Sequence, residues 1–243
     1  METLDRPTFE TEASKEIYQF VERHGTAARH RVRDMVELPA EEFREELERL
    51  TTNGYLEEEG GTLRVVLDAG SVERYASGDL TYSIRPARTD DFDQLIDTIR
   101  DVTESSEYVV AESIAEQLLY EDTIVRHNTV ESRVFFMAAH NDDILGWTHL
   151  DLPQIEKLQN TVQVTVGVRE AYRGRGIGSR LLERALEWAK ANGYRKAYNS
   201  IPAINDEAIA FLEAHDWHTE GIRRDHYTLD GTFVDEVMMA VEL

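Results

Sequence analysis

From Val164 to Ala189 the chain reads VTVGVREAYRGRGIGSRLLERALEWA, an apolar strand that runs through a knot of arginines and glycines into an amphipathic helix. Few folds accommodate that order. A helix that starts at such a knot turns its free amides and partial positive charge toward the loop, which makes the loop an anion site. Three phosphate-loop patterns must be separated. A Walker A loop carries Lys and then Ser or Thr after its last glycine, and GRGIGSR has no lysine. A dinucleotide turn needs G-x-G-x-x-G, but counted from Gly174 its third glycine position is Ser179, and YNSIP has no acidic residue for a ribose. What stands is Arg173-x-x-Gly176-x-Gly178. Gly174, Gly176 and Gly178 let the backbone approach a pyrophosphate closely, and Arg173 and Arg175 supply charge.

The surrounding pattern predicts a mixed α/β sheet. Tyr82 to Arg85 reads as a strand, TDDFDQLIDTIRDV as a helix with acidic residues in its first turn, and residues 111 to 120 as a second helix. RVFFMAA, DILGWTHLD and TVQVTVGV are three successive strands. The helix Ile177 to Asn192, the strand Arg195 to Ile201, the helix Asp206 to His215 and two strands around Asp230-Gly231 complete the order. Gly78 and Asp79 mark the expected junction with what precedes, dividing the chain into residues 1–78 and 79–243.

The R-x-x-G-x-G loop between strand and helix, with IRPARTDDFDQL before it and NDEAIAFLEAHDW after it, resembles the GNAT family of N-acetyltransferases over about Leu80 to Leu243. The resemblance implies a GNAT mixed sheet and an acetyl-CoA-dependent transfer of an acetyl group to a primary amine on a small molecule or protein. It implies that Arg173, Gly174, Arg175, Gly176, Ile177, Gly178 and Ser179 hold the pyrophosphate. The Val166 amide would donate to the thioester carbonyl, Val168 would pair with the pantetheine arm like an added strand, and Asn205 would hydrogen-bond that arm.

Two family features are missing. Many members carry a Glu base on the strand before the loop, where TVQVTV offers only Thr161, Gln163 and Thr165, and many carry a Tyr acid where this chain has Leu212, preceded by Phe211. Candidate replacements are His149 and Asp151 at the end of GWTHLD, Tyr198 on the following strand, and Glu112 in the helical region bordering the acceptor. Glu213, His215 and His218 have a ligand-like spacing, but they fall across a helix end and the chain has no cysteine, so no metal is expected. REAY and RRDHY read as strand-edge pairing.

Residues 14 to 67 follow their own pattern. A helix from Ser14 as N-cap to Gly25, a second after Thr26, a third from Pro39 to Thr52 and two strands around Gly60-Gly61 resemble a winged helix-turn-helix. That raises a second reading, a transcriptional regulator that senses acetyl-CoA with little or no catalysis. Sign of charge weighs against it. The third helix carries Glu41, Glu42, Glu45, Glu46 and Glu48 against Arg44 and Arg49, and phosphate contact needs the opposite sign. Arg29, Arg31 and Arg33 form the basic cluster of this region. A protein partner or a homodimer fits better than nucleic acid.

Over the whole chain 48 acidic residues face 26 basic ones, only four of them lysine, for a net charge of −22. Such a composition resembles proteins of a salt-rich cytoplasm, as in haloarchaea. At about 1 M salt the Debye length falls to about 3 Å, which screens the self-repulsion. The chain is therefore expected to resist urea better in molar KCl than in dilute buffer, and equal midpoints would contradict the salt adaptation. No apolar run long enough for a membrane span occurs and METLDRPTFETEAS lacks a leader's basic and apolar regions, so a cytoplasmic protein without membrane contact is expected.

Overall fold

Alternating apolar residues from Leu80 onward place one side of each strand against one layer of helices and the other side against a second. The computed structural model describes residues 7–66, 69–103, 109–128 and 131–243. Its strands are β4 (Glu73–Ser77), β5 (Leu80–Pro86), β6 (Arg126–His127), β7 (Glu131–His140), β8 (Asp143–Pro153), β9 (Thr161–Val168), β10 (Lys196–Pro202), β11 (His218–Leu229) and β12 (Thr232–Glu242). They form a nine-stranded sheet in the order β11-β12-β10-β9-β8-β7-β5-β4, with β6 beside β7. Among the described residues only the β9–β10 pair is parallel.

Among the described residues four helices cover it. On one face α6 (Ile177–Ala191) and α7 (Asp206–Glu213) pack through Leu181, Leu182, Ala185 and Leu212 on Phe136, Leu150, Val162 and Val164. On the other, α4 (Phe92–Thr103) and α5 (Val109–Glu121) press Ile96, Ile99, Ile114 and Leu118 on Phe135, Met137 and Trp147. Burying an aliphatic side chain of this size contributes about 1.5–3 kcal/mol, so each layer is held by several such contacts.

The N-terminal residues build a separate core. Preceding the sheet come α1 (Glu12–His24), β1 (Thr26–Ala28), α2 (Arg29–Val36), α3 (Ala40–Thr52), β2 (Leu56–Glu59) and β3 (Thr62–Val65), with β1 pairing β3 and β3 pairing β2, all antiparallel. Ile17, Val21, Val32, Phe43, Leu47, Leu50, Leu56 and Leu63 are buried together inside them. This core leans on the sheet through polar contacts. The Tyr18 hydroxyl donates to the His127 carbonyl at 2.5 Å, and Glu22 accepts from Asn128 at 3.1 Å and lies 3.7 Å from Arg126. Arg126 in turn lies 3.2 Å from Glu121, which pairs with Arg133 of β7 at 2.8 Å.

Several expectations need correction. Thr11, not Ser14, caps α1: its hydroxyl accepts from the Ser14 amide at 3.0 Å, which leaves the Ser14 hydroxyl to donate to buried Glu46 on α3 at 2.5 Å. Those two hydroxyls, Ser14 first, hold the Glu46 carboxyl below the ordinary carboxylate range. The helix expected after Thr26 is α2, and it begins only at Arg29 because the β3 edge pairs with residues 26–28 first. Gly78 and Asp79 are the turn of the β4–β5 hairpin, so β4 belongs to the large sheet. REAY is a single 3-10 turn over Glu170–Tyr172 rather than a strand edge. The RRDHY segment does lie on the edge strand β11, with Arg224 paired to Asp235 and Arg223 to Glu236 across to β12.

Candidate functional site

The sheet is split along the strand that leads to the glycine knot. Parallel pairing of β10 with β9 stops at Tyr198–Gln163, after which Asn199 to Pro202 stays on β12 and Val164 to Val168 stays on β8. The ladder fixes which groups face the gap. The Arg169 amide donates to the Leu145 carbonyl, so alternate residues of β9 bond to β8 and the amides of Val166 and Val168 point away from it. Glycine at 167 is required by close approach, since a Cβ there would stand 2.9 Å from the Trp147 indole.

A hollow of about 570 Å³ passes through the split. Asn205, Ala208, Phe211 and Leu212 line it from the α7 side, and Val109, Val110 and Ala111 from the α5 side. It adjoins a second hollow of about 870 Å³, and the two share Val166, Ala208 and Phe211. The second lies over the loop, lined by Val168, Arg173, Gly174, Gly176, Ile177, Gly178, Ser179 and Glu207.

Helix α6 opens on Gly176 at φ 78°, a left-handed conformation that glycine adopts without strain, with no side-chain cap and no acidic residue in its first turn. Its first amides and the positive end of its dipole are thereby left to a ligand. A Cβ at Gly174 or Gly176 would meet nothing within 4 Å, so the loop's outer side is open. Arg173 is braced beside it, its Nε donating to the Val168 carbonyl at 3.1 Å and its guanidinium 3.6 Å from Glu207. Arg175 is turned away instead. It reaches Asp79 in the β4–β5 turn at 3.4 Å and does not line the hollow. Asn205 caps α7, accepting from the Ala208 amide at 3.0 Å, while it lines the hollow through the sheet.

The four proton-transfer candidates do not converge. Glu112 is exposed in the first turn of α5 and lines neither hollow. Asp151 and Tyr198 flank Gln163 at the closed end of the split, and burial followed by the Asp151 charge pushes the Tyr198 hydroxyl above its ordinary value. That opposes ionisation, and neither residue lines a hollow. His149 is buried on the α5 side and lines neither hollow itself, standing behind Thr165 with its ring centroid 4.6 Å from that of Phe135. Burial and then the Arg133 guanidinium lower its pKa to about 3, so it is a neutral imidazole with little basicity rather than a proton sink. Sequence reading missed Thr165, which lies opposite His149 and lines the hollow. Its period-two placement on the strand was the available signal.

A model of the acetyltransferase (GNAT) family matches residues 96–217, from α4 to the start of the final hairpin. The chain belongs to the GNAT family. RimI of Mycobacterium tuberculosis, an N-alpha-acetyltransferase, is 37% identical over 67 residues, covering 28% of this GNAT chain and 40% of RimI. The acetyltransferase YwnH of Bacillus subtilis is 30% identical over 118 residues, covering 46% of this chain and 71% of YwnH. Among solved structures, a GNAT acetyltransferase of Streptococcus pneumoniae superposes with a TM-score of 0.56 at 21% identity over 67% of this chain and 99% of that one. Salmonella typhimurium yncA, solved with its cofactor acetyl-CoA, gives 0.53 at 17% identity over 67% and 94%. These two likenesses concern the fold.

The residues present fit acetyl-CoA. The open glycine loop, the uncapped helix start and the gap amides of Val166 and Val168 lie along two adjoining hollows. No group of three or more His, Asp or Glu side chains able to hold a metal occurs among the described residues. No helix among them is long and apolar enough to cross a membrane.

Proposed function

We propose that this GNAT chain transfers the acetyl group of acetyl-CoA to a primary amine. The observation that carries the reading is the hollow through the sheet: it adjoins the hollow over the glycine loop on the α7 side and is bordered by α5 on the other, so coenzyme and acceptor can meet from opposite faces. Gly174 and Gly176 to Ser179, with Arg173 beside them, hold the pyrophosphate. The Val166 amide donates to the thioester carbonyl, the Val168 amide pairs with the pantetheine arm, and Asn205 borders that arm. Acetyl-CoA supplies the activated acyl group. The chain's own contribution is alignment and a fixed dipole at the oxygen where charge develops.

Phe211 and Leu212 put apolar surface where a proton donor would stand, so the departing thiolate is not served by that helix. With a pKa of about 8.5 by analogy with cysteine, it needs little help. The test is release of free thiol from acetyl-CoA with a panel of primary amines in molar KCl. Thiol release that depends on the amine is expected, and coenzyme binding without turnover on any amine would refute catalysis.

Residues 7–66 are read as a winged-helix-like module, supported by the helix-strand-helix-helix-hairpin order and by β1 pairing β3. The exposed side of α3 bears Glu41, Glu42, Glu45 and Glu48, and Arg29 and Arg33 are already paired with Glu58 and Asp34. The module therefore suits a protein partner or a second copy better than DNA.

A further inference from the structure

On the α5 side of the split two buried polar side chains face each other. His149 is 5% exposed and Thr165 6%. They are opposed in the β8–β9 ladder as a hydrogen-bonded pair, which sets their Cα atoms roughly 5.5 Å apart with both side chains on one face. Neither ring nitrogen of His149 nor Oγ1 of Thr165 has a hydrogen-bond partner among the described residues. Buried polar atoms are rarely left so, because desolvation without a partner is costly. Thr165 lines the hollow and immediately precedes Val166, whose amide faces the gap.

We propose that His149 and Thr165 form the seat of the acceptor nitrogen, and that the seat takes the amine as its free base. The inference rests on the acyl-transfer reading above. A neutral primary amine has two N–H groups and one lone pair. An unprotonated ring nitrogen of His149 and the Thr165 hydroxyl oxygen accept the two N–H groups, and the lone pair stays free for the thioester carbonyl. Attack forms the C–N bond and breaks the C–S bond, and one N–H proton ends on the sulfur. No net proton is released, so a strand without a carboxylate suffices.

Burial at this face, rather than net charge, disfavours an ammonium ion. The charged groups around His149 are Arg133 on β7, which is paired with Glu121 of α5 at 2.8 Å, and Asp151 on β8 itself, while β9 contributes Gln163 and Thr165. Of the buried side chains that α4 and α5 turn to the sheet, Ile96, Ile99, Ile114 and Leu118 are apolar, and the Thr98 hydroxyl is taken up by the Gln94 carbonyl and Arg169. Burial and Arg133 keep the His149 ring neutral, so it accepts a hydrogen bond without removing a proton. The class selected is an amine substantially unprotonated near neutrality: an α-amino group of pKa about 7.7–8.0 rather than a lysine ε-amine at about 10.4.

The experiment compares an amino-acid amide, whose amine is an α-amine, with an Nα-blocked lysine amide, using the full chain in molar KCl. At pH 7 kcat/KM is expected to favour the α-amine by about a hundredfold or more, following the free-base fractions. His149→Leu and Thr165→Val are each expected to raise the acceptor KM by about tenfold or more, the usual effect of losing one hydrogen bond. Acetyl-CoA affinity by calorimetry stays unchanged, which also verifies folding, and His149→Gln restores much of the acceptor KM through its amide oxygen. Equal kcat/KM for the two amines at pH 7, or an unchanged acceptor KM in both variants, overturns the seat while leaving acyl transfer standing. Absence of thiol release from the unaltered chain with every amine overturns both.

Discussion

Gly176→Asp abolishes acetyl-CoA binding: calorimetry that gives a saturable isotherm for the unaltered chain is expected to give none for the variant. Two effects combine. The φ of 78° places residue 176 in the left-handed region, where a side chain adds roughly 1–2 kcal/mol of strain. The larger effect is charge. A carboxylate about 4 Å from a phosphate repels it by about 4 kcal/mol at an effective dielectric of 20, close to a thousandfold in affinity. The Cβ itself would meet nothing within 4 Å, so the fold should survive and the thermal midpoint should move little. Gly176→Asn separates the two effects, because asparagine tolerates the left-handed region and carries no charge. An unaltered dissociation constant for Gly176→Asp would refute the phosphate assignment.

The second large effect is on stability. Trp147→Ala is expected to cost about 3–5 kcal/mol in urea denaturation, the range for emptying a large buried aromatic position. Trp147 is fully buried between the sheet and the α4–α5 layer, and its indole occupies the space that a side chain at 167 would need. The cavity would therefore lie directly behind the β9 backbone that presents Val166 and Val168. Coenzyme affinity is expected to fall along with stability. A loss below about 1 kcal/mol would mean that the surrounding layer collapses into the space and that Trp147 does not set the strand's position.

Much of the α/β region was legible because its information is local. The apolar alternation of TVQVTVGV, the glycines and the amphipathic run after Ile177 each act within one or two turns of chain, and they correspond to β9, the loop and α6. Strand β4 escaped because ERYAS is short and polar, and it becomes a strand only through its pairing with β5. Arg175 looked equivalent to Arg173 in the loop, but Asp79 is contributed by a hairpin almost a hundred residues earlier, and no local pattern reports that partner. His149 stands near the end of GWTHLD, where the sequence made it a candidate for proton transfer. Its burial depends on α4 and α5 closing over the sheet, so sequence suggested a proton acceptor where the environment makes a neutral ring.

The series Glu22, Arg126, Glu121 and Arg133 alternates in sign from α1 to β7, and three of its four members are far less accessible than ordinary surface charges. Charges so shielded exchange partners only after water enters. Peeling the amino-terminal bundle from the sheet would hydrate carboxylate and guanidinium together, and would loosen the strand that stands beside His149. The amino-terminal core is thus joined to the sheet by ordered charge rather than by shared apolar packing.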